Sequence, residues 1–205
     1  MAELNKRDVI KIIAVAKKVN FAGVDLSKLK LEGASLIGAK FMYANLNGID
    51  LSYSDLTSAN FSNSFMQDAI LYNAIMTNAN LNNANFSRTD LKGSDISVAQ
   101  LRDTTLSNAC LEEVNFDGSI LIGARMDSVD LTHSSLDGAD LTHATLHKAN
   151  LSNANLQNAI LVDADLSHAN LVGADLTDAD LTGAILTNAK IDGVDFSVAK
   201  GKFSI

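Results

Sequence analysis

The side chains in this sequence that could do chemistry are four histidines, one cysteine and a scatter of carboxylates. His133, His143, His147 and His168 could ligate a metal, but no two of them form an i, i+2 pair or an HExxH-type pair. Cys110 stands alone, so the chain cannot close a disulfide on itself. Serines and threonines recur as turn formers, and none is set beside a base as a nucleophile requires. The glycines follow a repeat register rather than phosphate-loop spacing. Carboxylates abound, but acid–base work needs a desolvating cleft to tune them, and a flat solvated surface offers none. The expectation is a protein with no catalytic, metal-binding or cofactor-binding residues, and not an enzyme.

What must position these side chains is a register of five. From Phe21 to Phe196 every fifth residue is large and apolar, giving 36 consecutive centres that are all Leu, Phe, Ile or Met. Two residues before each centre sits a small residue, alanine in 22 of the 36 repeats. The residue just before the centre is usually polar, as in Asn45, Asp55, Asn80 and Asp140. Two residues after the centre glycine recurs, and 11 of the 12 glycines share that phase. On an α-helix a step of five turns the side chain by roughly 140°, so the leucines would smear around every face. On a long strand it would flip sides each time. The pattern therefore demands a bend in every repeat, with Gly and Asn as corner residues that tolerate positive φ. The small residue and the large one point inward and fill a narrow interior.

Segments such as Ala-Asn-Leu-Asn-Asn at 79–83, Ala-Asp-Leu-Thr-His at 139–143 and Ala-Asp-Leu-Thr-Asp at 174–178 resemble the A(D/N)LXX pentapeptide repeat. The resemblance covers about seven-eighths of the chain. It implies an all-β solenoid: a right-handed quadrilateral β-helix of about nine 20-residue coils, four repeats to the coil. With a coil of that length, Phe21, Phe41 and Phe61 would stack, as would Leu29 and Ile49 in the column of small residues. His147 and His168 would share a face in adjacent coils, with no third ligand beside them.

Three segments follow: residues 1–18 as an N-terminal capping helix, 19–198 as the repeat domain and 199–205 as a C-terminal tail. Val9, Ile12, Ile13 and Ala16 keep the spacing of one helix face over about 6–18. Asn5 with Asp8 makes a capping-box-like start, and Lys17 and Lys18 suit the C-terminal dipole. An uncapped solenoid end would expose core and strand edges. At the other end, either Phe203 and Ile205 fold across the opening or two rods abut, and a homodimer through the C-terminal coil is expected. The net charge of −8 argues against direct nucleic-acid or anionic-membrane binding. With neither a signal-peptide pattern nor a span of ~20 apolar residues, a cytoplasmic location is the default expectation.

Two surfaces are candidates. In residues 65–75 the outward position before the centre is apolar three times running, at Phe65, Ile70 and Ile75, with Tyr53 and Tyr72 nearby. Met42 and Tyr43 are expected on the adjoining face. Exposed apolar clusters on a soluble protein mark partner surfaces. The second surface is acidic: Asp163, Asp165, Asp175, Asp178, Asp180 and Asp195, in a half that carries 15 acidic and 6 basic residues from position 101 onward. The function expected is a rigid, non-catalytic scaffold for a protein partner. Two alternatives stand beside it. The resemblance extends to quinolone-resistance proteins that bind DNA gyrase, which suggests an acidic DNA-mimic that binds gyrase or another DNA-binding enzyme. A secreted effector is the third.

Overall fold

The computed structural model of the protein describes residues 5–15 and 19–205. In nearly every repeat the carbonyl of the centre accepts the N–H three residues on, as Phe21 does from Val24 at 3.1 Å. The residue two past the centre takes φ near +60°, whether it is Gly23 (69°), Asn63 (60°) or Tyr53 (58°). That is a type II-like turn, and one occurs in every repeat up to the one centred on Ile191. After each turn, the residue before the next centre pairs in parallel with its equivalent 20 positions on. Four ladders result, headed by Asn20, Asp25, Lys30 and Ser35, and we name the four walls of the rod after them. One repeat makes one wall, and 20 residues make one coil; the Asn20 ladder runs on through Lys40 and Asn60 as far as Asp180 and Lys200.

Adjacent coils are joined along the rod axis by backbone hydrogen bonds. Phe21 N–H donates to Lys40 C=O at 2.7 Å, and Lys40 N–H donates to Val19 C=O at 2.9 Å. The interior is a continuous apolar column of centres and small residues. Phe21, Phe41 and Phe61 stack as the coil length requires, with ring centroids 5.8 and 4.9 Å apart. Ile49 is fully buried, and Leu29 packs against the column from its end. Of the Ser and Thr at the small position, Ser64 finds no partner among the described residues, and the others bond a carbonyl: one coil below for Thr104 (to Leu81, 2.8 Å) and Ser119 (to Ile96, 2.7 Å), three residues back for Ser94 (to Leu91, 2.6 Å) and Ser134 (to Leu131, 2.7 Å). This removes most of the cost of burying a hydroxyl.

The helix α1 spans Lys6–Val15. The Asn5 carboxamide accepts the Asp8 N–H at 3.2 Å, the N-cap bond that the sequence suggests. Val9 is fully buried within the same apolar cluster as the coils, and Ile12 and Ile13 pack against it. Residues 16–18, including Lys17 and Lys18, lie outside the described residues. At the C-terminal end the register loosens. Phe196–Val198 form a 3₁₀ turn capped by Asp195, whose carboxylate accepts the Ser197 N–H at 2.8 Å. The tail then follows the coil below it, with Lys200 pairing to Asp180 and Ser204 to Ile185. Phe203 packs against Phe196 with centroids 5.2 Å apart, while Ile205 is exposed. Of the two expected tail residues, Phe203 alone packs against the apolar column. Gly201 permits this: its φ is +92°, and a Cβ there would meet the Thr182 backbone N at 2.6 Å. Among the described residues no helix is long and apolar enough to cross a membrane.

Candidate interaction surface

The outward residue before each centre usually has a structural duty. When it is Asp or Asn, its side-chain oxygen accepts the N–H two residues on and clips the turn. Asp50 takes Ser52 N–H at 3.1 Å and Ser52 Oγ at 2.6 Å, and Asp55 takes Thr57 N–H at 3.0 Å and Thr57 Oγ1 at 2.7 Å. Such local side-chain bonds are why these residue types favour turns. Phe65, Ile70 and Ile75 cannot make the clip, so three successive corners go without it. Each of the three instead holds a large apolar side chain in solvent, at 50, 41 and 46 % exposure.

The coil separates these three. Phe65 pairs with Asn45 and Asn85 on the Asp25 wall. Ile70 pairs with Asp50 and Asp90 on the Lys30 wall, and Ile75 with Asp55 and Asp95 on the Ser35 wall. They form a belt around three sides at one height, not a single flat patch. Tyr53 and Tyr72 do share the Lys30 wall with Ile70. Their rings meet edge to face, centroids 5.5 Å apart at 80°. Met42 and Tyr43 belong to the Asn20 wall, which is opposite that of Ile70 rather than adjoining it, because two corners separate them. Ile37 and Val98, on the Ser35 wall, are also exposed, at 58 and 60 %. Sequence reasoning missed both. Val98 carried a signal: it is a β-branched residue at a corner that requires positive φ, and its φ is 55°.

The six aspartates of the second surface are likewise divided. Asp175 and Asp178 lie on the Ser35 wall, Asp163 and Asp180 on the Asn20 wall and Asp165 on the Asp25 wall, while Asp195 caps the 3₁₀ turn outside the ladders. Several are occupied as turn clips. Asp175 is held below its ordinary range by the Thr177 hydroxyl and N–H, with Gln157 adding a bond. Thr182 does the same for Asp180, and Ser197 for Asp195. Asp178 pairs with Lys200 at 3.2 Å.

The remaining chemistry-bearing residues stay apart. His147 Nδ1 lies 2.8 Å from Ser167 Oγ, and its ring meets that of His168 at 5.2 Å, in adjacent coils as the register requires. Among the described residues no three of His, Cys, Asp or Glu are grouped as a metal site. Cys110 is half-buried on the Lys30 wall, and burial pushes its thiol up, away from the thiolate. An open depression of about 340 Å³ lies between α1 and the first coil, lined by Ile10, Ile13, Ala14, Leu31 and Ala34 with Lys6 and Lys30 at its edge.

A family described as Pentapeptide repeats (8 copies) matches residues 20–57, 54–93, 99–136, 124–161 and 159–197. Among solved structures, HetL, a pentapeptide repeat protein involved in heterocyst differentiation regulation from the cyanobacterium Nostoc sp. strain PCC 7120, is 30% identical. That comparison covers 92% of this chain and 93% of HetL, with a TM-score of 0.49. QnrB1, a plasmid-mediated fluoroquinolone resistance protein, is similar in fold. Its trypsin-treated form is 20% identical over 86% of this chain and 91% of that one, with a TM-score of 0.66. Full-length QnrB1 is 15% identical over 92% of each chain, again with a TM-score of 0.66. No curated protein sequence matches the chain.

Proposed function

The chain belongs to the pentapeptide repeat family, whose fold is the right-handed quadrilateral β-helix, and on that premise we propose that it is a non-catalytic, rigid scaffold that binds a protein partner. The binding surface is the apolar belt of Tyr53, Phe65, Ile70, Tyr72 and Ile75. One observation carries this reading: three successive corners give up their turn clip and present an exposed apolar side chain instead. A wall of hydrogen-bonded backbone holds such side chains in fixed positions, so little ordering entropy is lost on binding. The helix α1 acts as the N-terminal cap of about nine coils, keeping Val9 in the column and covering the first strand edges.

The test is capture from the native lysate, with washes at low and high salt. A partner retained at high salt by the wild type, and lost by Tyr72→Ala or Phe65→Ser, is the expected result. Partner loss on salt alone, unaffected by either substitution, would defeat it.

The charge distribution favours a second reading, an acidic DNA-mimic that binds gyrase or another DNA-binding enzyme. From residue 101 onward there are 15 acidic and 6 basic residues. On this reading a homodimer forms through the C-terminal coil, where Ile191, Phe196 and Phe203 are only partly buried and Ile205 is exposed. A monomer mass by light scattering, unchanged with concentration, would remove the dimer.

A further inference from the structure

The apolar side chains on the Lys30 and Ser35 walls have aspartates on both sides of them. In the first ladder Ile70 stands between Asp50 and Asp90, and in the second Ile75 stands between Asp55 and Asp95. The coil that carries Ile70, Tyr72 and Ile75 has no charged residue on these two walls, from 69 to 78. The same two walls one coil below and one coil above (49–58 and 89–98) hold four aspartates and a single base, Lys92. Lys92 is already paired with Glu112 at 2.8 Å. The nearest base in the other direction, Lys30, lies below Asp50 and so two rungs from Ile70.

The carboxylates have capacity to spare. In Asp50, Asp55 and Asp90 only Oδ1 is used, as the turn clip, and among the described residues Oδ2 has no hydrogen-bond partner. Asp95 uses both oxygens, taking Ser97 N–H at 3.0 Å and Thr77 Oγ1 at 3.1 Å. Between the carboxylates, Tyr53 and Tyr72 present perpendicular rings, with Tyr53 56 % exposed at the corner where the two walls meet. Tyr53 holds φ at 58°, a region costly for a bulky residue. Aromatic faces beside carboxylates attract a guanidinium or ammonium group, and apolar neighbours suit its aliphatic stem.

We infer that the corner between the Lys30 and Ser35 walls docks a basic amphipathic segment of a protein partner, whose apolar residues cover Ile70, Tyr72 and Ile75 while its arginine or lysine side chains reach the flanking aspartates and the tyrosine pair. This rests on the scaffold reading above and names its partner's chemistry. Charge complementarity selects the occupant: an acidic or purely apolar segment would meet the rim of four aspartates unfavourably. Phe65, between Asn45 and Asn85 on the preceding wall, lies outside this seat.

The probes are three fluorescein-labelled peptides of one length, about fifteen residues, built from leucine and arginine, leucine and glutamate, or serine and arginine. Fluorescence anisotropy with the full chain gives their affinities. The leucine–arginine peptide should bind about tenfold tighter than either of the others. It should lose about tenfold in Ile70→Ser with Tyr72→Ser, and several-fold, with a shallower salt dependence, in Asp50→Asn with Asp55→Asn. Asp163→Asn with Asp165→Asn, a control of equal charge change far along the rod, should leave it unchanged. All variants alter exposed or half-buried positions, and their melting curves check the fold. Equal binding of the leucine–glutamate peptide, lost in the Ile70 and Tyr72 variant, would overturn the basic partner and leave the apolar scaffold standing. Binding that tracks arginine alone, or that falls equally in the Asp163 and Asp165 control, would overturn the seat as general attraction to an acidic rod. Failure of all three peptides to bind would overturn it as well.

Discussion

Coils near the two ends of the rod use one backbone differently. Between residues 37 and 98, seven large apolar side chains stand exposed: Ile37, Tyr43, Tyr53, Phe65, Ile70, Ile75 and Val98. Between 99 and 159 there is none, and the outward positions before the centres are mostly Asp, Asn, Thr and Ser, with Ile120 the one large aliphatic residue among them. Toward the C-terminus aspartates predominate, many of them clipping turns, and the exposed apolar residues ahead of the 3₁₀ turn, Ile160, Val172 and Ile185, do not occupy successive outward positions. Core and hydrogen-bonded ladders are the same in both regions, so the wall tolerates either surface without losing its shape. Stability comes from the inward positions and from coil-to-coil hydrogen bonds. The outward position can therefore depart from its clip at modest cost, as it does at Lys30, Ser35 and Lys40 as well as at Phe65, Ile70 and Ile75, and on the proposed reading it is the apolar run that answers a partner.

The comparison is tested most severely through the shared core. Leu131→Ala should cost on the order of 2–5 kcal/mol in chemical denaturation, because a fully buried centre has little room to collapse. Asp140→Ser, outward on the Asn20 wall, should cost less than about 1 kcal/mol. Similar losses would mean that inward and outward positions are not distinct. The C-terminal end comes next. Gly201→Ala forces a side chain onto the Thr182 backbone at φ +92° and should cost about 1–3 kcal/mol, seen as faster amide exchange at Ser204 and Lys200 with the middle coils unchanged.

A smaller effect sharpens the contrast between the regions. Ile70→Asp restores the missing clip and should leave stability unchanged or raise it by a few tenths of a kcal/mol, while removing partner binding. A marked loss of stability would make Ile70 a packing residue instead. The smallest effect is on pH. Asp25, Asp175 and Asp180 are lowered from 3.8 by Ser27, Thr177 and Thr182. A depressed folded-state value gives stability that is present above the unfolded value and is lost as pH falls through the folded one. Their clips should therefore persist at neutral pH and fail only below about pH 4. Titration followed by NMR of the Thr177 and Thr182 amides checks this, and a change centred above pH 5 would contradict it.

The fold was largely legible because a step of five is incompatible with helix and strand alike, and the phenylalanine stack at 21, 41 and 61 supports a coil of 20. The candidate surface was only partly legible. Phe65, Ile70 and Ile75 look like one patch along the sequence, yet each step of five turns a corner, so neighbours in sequence stand on different walls. Residues 20 apart, such as Ile70 with Asp50 and Asp90, are the ones that share a surface. The last repeat was misleading for a related reason. Phe196 keeps the register, but the next coil is not complete above it, and Asp195 caps a 3₁₀ turn rather than joining the ladder.

The most direct test of the apolar surface is site-specific photocrosslinking in native lysate, with benzoylphenylalanine placed at Tyr72 or at Thr132. The two positions are equivalent, one past the centre on the Lys30 wall, three coils apart. The account predicts a discrete protein adduct from position 72 and none from position 132. The same adducts from both positions, or an adduct from position 132 alone, would contradict it.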